Sequence, residues 1–220
     1  MNGCIKTQED TLLPPPSGYI SIMHLAPTAP SVDVFFNDAK VSNNPFDPGA
    51  TTTAYNPIER GAITIKFKKA ASDSVVAQLP LAQYDSLNYY TVFIYNLQAN
   101  GAANAYRIKD DFTVLTSDKA YYRFIHASPN AGDVDVYIDD VKVQNGRHIA
   151  DNAGFDTYNR FMPTNPGNRT IEARMAGTND VVATLTDASL VQGNAYTFYL
   201  KGLAGGSGNN ELSIGMLRAQ

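Results

Sequence analysis

Residues 121–140 read Tyr-Tyr-Arg-Phe-Ile-His-Ala-Ser-Pro-Asn-Ala-Gly-Asp-Val-Asp-Val-Tyr-Ile-Asp-Asp and place a histidine, a serine and four aspartates in one short span. His126, Ser128, Asp133 and Asp135 are the residue types of nucleophilic catalysis, in which a hydroxyl reaches an imidazole that a third group orients. The carboxylates Asp133, Asp135, Asp139 and Asp140 are hard oxygen donors of the kind calcium gathers, about six to eight at a time.

The chain itself weighs against both chemistries, because it says something similar twice. At an offset of 102 residues, positions 19–41 fall on 121–143 with ten of 23 identical, among them His24 with His126, Pro27 with Pro129, Asp33 with Asp135 and Lys40 with Lys142. The first copy carries Ala26 where the second has Ser128, and Ser31 and Asn37 where the second has Asp133 and Asp139. Two residues apart at the end of one strand are poorly placed to bring a hydroxyl onto a ring, so no catalytic residue is assigned. The histidines continue the apolar faces Ile20, Ile22 and Tyr122, Phe124 to their edge, which predicts rim histidines bonded to backbone in the turns of Pro27 and Pro129. Asp133 and Asp135 share a strand face about 13 Å from the hairpin aspartates at strand rise, so no metal site is assigned. His24, Pro27, Asp33, His126, Pro129 and Asp135 therefore form a structural signature of the repeat.

The elements that would hold these residues are strands. Val32, Val34, Phe36 and Val134, Val136, Ile138 alternate with period two. Asn37-Asp38 and Asp139-Asp140 follow as residues that tolerate positive φ in a two-residue hairpin. Further strands are expected at 62–68, 74–79, 89–96 and 105–111, with counterparts at 168–175, 180–185, 195–202 and 211–217, separated by turn chemistry such as Gln-Ala-Asn-Gly. A short helical turn is the one exception, near 80–87. A second offset of 106 aligns 88–97 with 194–203, and Tyr55-Asn56 falls on Tyr158-Asn159 at 103, which assigns most of a four-residue insertion to 160–167. The Gly-rich 205–210 lies between two strands, lacks a following helix to hold phosphate, and reads as a hairpin tip. About seven short strands per hundred residues predict an all-β fold of two tandem immunoglobulin-like antiparallel β-sandwich domains. Residues 1–18 are read as a tether, 19–115 as the first sandwich and 116–220 as the second. The short joining segment Thr113–Lys119 lacks glycine and proline, so the sandwiches are expected to touch.

Composition narrows the function. The 220 residues are 44% hydrophobic and 17% charged, which suits packed domains rather than a disordered chain. A net charge of -4 with scattered Lys and Arg leaves no basic surplus for nucleic acid. One cysteine, Cys4, cannot close a disulfide within the chain, and zinc or redox roles lose their partners. No cofactor is implied. The opening Met-Asn-Gly-Cys, followed by a polar stretch and Leu-Pro-Pro-Pro-Ser-Gly, resembles a bacterial lipoprotein just after its signal peptide, with Cys4 carrying the lipid and the prolines stiffening the tether.

Phe-Ile-His-Ala-Ser-Pro-Asn-Ala-Gly-Asp-Val-Asp-Val-Tyr-Ile-Asp, followed by Leu-Val-Gln-Gly-Asn-Ala-Tyr-Thr-Phe-Tyr, resembles the bacterial domain of unknown function 4397. The first copy departs from that pattern at His24-Leu25-Ala26-Pro27 and at Ser86-Leu87-Asn88, which lack the serine and the glycine. The resemblance implies an exported or surface-anchored protein, often with tandem domains, of a kind at times described as adhesion proteins, and it brings no catalytic residues. Among 13 Tyr and 10 Phe with no Trp, Tyr90 and Tyr196 are expected in the core, while Tyr89 and Phe93, with Tyr199 in the second copy, share the opposite face and form the candidate binding surface. The expected function is that of a non-catalytic surface lipoprotein of a Gram-negative cell envelope, anchored in the outer membrane only through lipid. It would bind an unknown surface protein or glycan. The alternative is a glycan-binding accessory protein of a polysaccharide uptake system.

Overall fold

The structure is a computed structural model that describes residues 17–154 and 156–220. Cys4 and nearly all of the tether lie outside the described residues. The first sandwich comprises β1 (Gly18–His24), β2 (Val32–Phe36), β3 (Ala39–Lys40), β4 (Asn56–Ile58), β5 (Gly61–Lys69), β6 (Val75–Tyr84), β7 (Tyr89–Asn96) and β8 (Ala103–Asp110). The second comprises β9 (Ala120–His126), β10 (Val134–Ile138), β11 (Val141–Arg147), α1 (Asp151–Gly154), α2 (Asp156–Asn159), β12 (Met162–Thr164), β13 (Gly167–Met175), β14 (Val181–Leu190), β15 (Ala195–Lys201) and β16 (Ser213–Arg218).

Each sandwich is two four-stranded sheets with the same plan. β4-β1-β7-β8 faces β3-β2-β5-β6, and β12-β9-β15-β16 faces β11-β10-β13-β14. Pairing is antiparallel except between β1 and β7 and between β9 and β15, which run parallel. A parallel pair cannot be closed by a hairpin; here the connection runs through all four strands of the opposite sheet and also includes β4 or β12. Alternation directs Ile20, Ile22, Val34, Ile65, Phe67, Val92 and Ile94 into the first core, and Tyr122, Phe124, Val134, Val136, Ile171, Phe198 and Leu200 into the second. Asn37 and Asp38, at φ 46° and 69°, and Asp139 and Asp140, at 49° and 63°, make the two hairpin turns. Tyr90 and Tyr196 are buried, and each hydroxyl accepts the backbone N–H five residues earlier, from Asp85 at 3.0 Å and Val191 at 2.9 Å.

Two local expectations change. No helical turn forms near 80–87: β6 continues to Tyr84 through a register shift against β5, and the chain then turns at Leu87, φ 59°. The insertion also moves. Ile20 pairs with Asn56 and Tyr122 with Met162, so Tyr55 corresponds to Phe161 and not to Tyr158. The four extra residues therefore precede Phe161, in the segment that forms α1 and α2, helices of one turn that are too short to show an apolar stripe.

The sandwiches stack back to back. The outward face of β1, β7 and β8 supplies Met23, Leu25, Phe93, Tyr95 and Ile108, and the outward face of β9, β15 and β16 supplies Ile125, Ala127, Tyr199 and Leu217 to one shared buried cluster. Equivalent faces of the two copies meet, giving four layers of sheet.

Candidate functional site

The signature histidines close the turn between the first two strands of each copy. The His24 Nε2–H donates to the Pro30 carbonyl at 3.0 Å, and the His126 Nε2–H to the Gly132 carbonyl at 2.8 Å. Pro30 and Gly132 are equivalent positions, and both rings are buried. Burial pushes the His126 ring from its ordinary 6.5 down to about 4 against the pull of the Gly132 carbonyl, and burial likewise lowers His24 against that of Pro30. Both are neutral near pH 7. Ser128 Oγ and both Nδ1 atoms are buried without a hydrogen-bond partner, so serine and imidazole are near in sequence and not bonded in space. That geometry lacks the hydroxyl-to-ring contact nucleophilic catalysis requires.

The signature aspartates are anchors for the hairpin. The Asp135 carboxylate, fully buried, accepts from Lys142 Nζ at 2.6 Å, Gly146 N at 2.7 Å and Gly177 N at 3.2 Å. Burial raises its pKa, but the Lys142 ammonium and the two N–H donors outweigh that and hold it below the usual carboxylate range. Asp33 repeats the arrangement with Lys40 at 2.9 Å. The hairpin carboxylates turn away to cations of their own, Asp139 to Arg169 and Asp140 to Arg174. Among the described residues no three His, Cys, Asp or Glu side chains converge as metal ligands would.

The candidate binding surface divides. Phe93 and Tyr199 belong to the cluster between the sandwiches and are closed to a ligand; their aromatic bulk is used where the two copies pack. Tyr89 stays half-buried at the margin of that seam. Its ring stacks on Tyr19 at 4.9 Å between centroids and meets Tyr55 and Phe112 edge-on at 5.3 and 5.1 Å, while Phe112 stacks on Phe161 at 5.4 Å. Phe112 lies between β8 and β9, just before Thr113, and two clefts open nearby. One, of about 620 Å³, is lined by Leu87, Asn88, Tyr89, Asp111, Phe112 and Gln220. The other, of about 580 Å³, is lined by Tyr106, Arg107, Arg160, Phe161 and Met162.

Beneath the aromatic row runs a polar network that neither repeat nor spacing announced. Arg123 of β9 is 0% exposed and pairs with Asp110 at the end of β8. Its other donors reach Thr91 Oγ1 at 2.7 Å and Thr197 Oγ1 at 2.9 Å, and its guanidinium lies over Phe161 at 4.5 Å. Tyr55 donates to the other Asp110 oxygen, and Thr91 donates to it at 2.8 Å. Burial, then the Asp110 charge, push the Tyr55 phenol far above its ordinary value, so it remains a donor. Thr91 and Thr197 are equivalent residues of the two copies, but Arg123 stands where the first copy has Ser21. That asymmetric substitution was the available signal.

A family model described as Domain of unknown function (DUF4397) matches residues 18–137. The chain belongs to this family. The matched DUF4397 stretch covers β1 to β9 and most of β10, so it includes both members of the Arg123–Asp110 pair and both signature histidines. No curated protein matches the chain.

Proposed function

We propose that this DUF4397 protein is a non-catalytic, surface-displayed binding protein, tethered through lipid on Cys4 to the outer membrane of a bacterial cell envelope and serving adhesion or ligand capture. The observation that carries the reading is the seam. A buried ion pair and a shared apolar cluster join two sandwiches into one body, and two clefts open beside the residues between β8 and β9. A rigid scaffold with clefts flanked by loops suits recognition, while the neutral, buried histidines are poorly placed for acid–base work. Among the described residues no helix is long and apolar enough to cross a membrane. The test is mass spectrometry of membrane-extracted protein for acylated Cys4, combined with capture of partners at the cell surface by wild type and by Tyr89→Ala. An unmodified Cys4 in a cytosolic protein overturns the reading.

The Tyr19–Tyr89 stack supports a more specific version, glycan capture in a polysaccharide uptake system. Half-buried rings beside Asn88, Asp111 and Gln220 offer an apolar platform next to hydroxyl partners. Titration with a glycan panel should show saturable binding that Tyr89→Ala abolishes; no binding across the panel sinks it.

A further inference from the structure

The two copies differ in how the space between their sheets is closed at the β3/β4 and β11/β12 edge. In the first sandwich an open crevice of about 280 Å³ penetrates there, lined by Ile20, Ile22, Val34, Phe36, Val41 and Phe46, with Ser42 and the exposed Asn56 among its polar groups. In the second sandwich the corresponding place is filled. Ile20 and Ile22 become Tyr122 and Phe124. Phe46, bridged to Val32, becomes Arg147, paired with Val134. The fully buried Arg147 guanidinium lies 4.3 Å from the Tyr158 ring centroid and 5.7 Å from that of Phe124, and donates to the Phe124 carbonyl at 2.9 Å. Tyr158 comes from α2, outside both sheets, in the segment where the second copy is four residues longer.

The second sandwich thus carries its own aromatic plug, and the first lacks the segment that would supply one. We propose that the crevice of the first sandwich is a docking pocket for the side chain of a tyrosine presented by a partner polypeptide, in the position Tyr158 holds in its sister. An apolar cavity of about 150 Å³ already admits a benzene ring, so the space accommodates a phenol. Phe46, in place of Arg147, offers a ring for stacking or edge contact. Tyrosine is also the residue type that anchors interfaces by filling pockets. This site is separate from the cleft at Tyr89.

The test uses the full chain with isoleucine methyl labels and two probes, p-cresol and N-acetyltyrosinamide. Saturable shifts are expected at the Ile20 and Ile22 methyls, with those of Ile171 and Ile214 unmoved. Ile20→Tyr, which copies the filled sandwich, should weaken binding at least tenfold as read at Ile22; Ile22→Phe, read at Ile20, serves if the first variant does not fold. Tyr89→Ala should leave the shifts unchanged, so this pocket and the proposed surface function fail independently. Absence of saturable shifts, shifts undiminished by both filling variants, or equal response to n-butanol overturns the proposal.

Discussion

Arg123 and Asp110 form an ion pair with both side chains 0% exposed, although one belongs to the second sandwich and the other to the first. A charge pair withdrawn from water is a weak source of net stability, yet removing one partner is costly because the other stays buried and uncompensated. The hydroxyls of Thr91, Thr197 and Tyr55 add further hydrogen bonds to the pair, so the network fixes how the copies stack as much as how strongly.

Asp110→Ala should therefore cost about 3–5 kcal/mol, read by urea denaturation followed through circular dichroism. The double change Arg123→Met, Asp110→Leu should recover most of that loss, because it removes both charges and leaves apolar volume beside Phe161. Equal losses in the single and double variants would mean that packing volume, not the uncompensated charge, sets the cost.

Acid stability should report the signature histidines. A ring whose folded pKa lies below its unfolded value binds its proton more readily in the unfolded chain. Stability should then be complete above about pH 6.5, fall as pH drops through the window down to about 4, and level below it. For the buried His126 the drop is on the order of 3 kcal/mol, with His24 adding in the same direction. Carboxylates held low by their partners, such as Asp135, lose their contribution only below about 4, leaving most of the histidine window clear. His126→Gln, whose amide can still donate to the Gly132 carbonyl, should flatten the profile between pH 4.5 and 6.5, or about that range. An unchanged slope in this variant and in His24→Gln would refute the assignment.

The hairpin turns give a local test. Asp38 sits at φ 69° and Asp140 at 63°, where a β-branched residue is strained. Asp38→Val should cost about 1–3 kcal/mol, whereas Asp38→Gly should cost little, since the exposed pair with Lys66 is screened by solvent. Comparable thermal midpoints for the valine and glycine variants would refute the turn geometry.

These turns were legible in the sequence because Asn-Asp and Asp-Asp between alternating valines leave few other conformations. The paired strands and the buried Tyr90 and Tyr196 were legible for the same reason: period two directs each side chain to a definite face. The face is all that periodicity supplies. Phe93 and Tyr199 were placed correctly opposite the core, but whether an outward aromatic meets solvent or another sheet depends on the docking of the copies, which no local pattern encodes. The exchange of Ser21 for Arg123 between the copies marks the position, but its partner Asp110 ends a strand of the other domain, and no local pattern joins the two. The short helices α1 and α2 are not legible in the sequence because helices of one turn carry no periodic stripe.

The seam offers one more prediction, at Gly215. It pairs with Tyr199 across β15 and β16, and a Cβ built there would lie 2.3 Å from two carbons of the Tyr199 ring. The glycine is needed for space rather than for φ: the ring lies flat over the neighbouring strand and fills the interdomain cluster. Gly215→Ala should displace Tyr199 and cost about 1–3 kcal/mol, the usual range for overpacking. Tyr199→Leu alone loses seam packing. Once the ring is gone, however, the added methyl has nothing to displace, so the double variant should be more stable than the sum of the single losses predicts, by about 0.5–3 kcal/mol. Strict additivity in a double-mutant cycle would show that the glycine and the ring do not share that space.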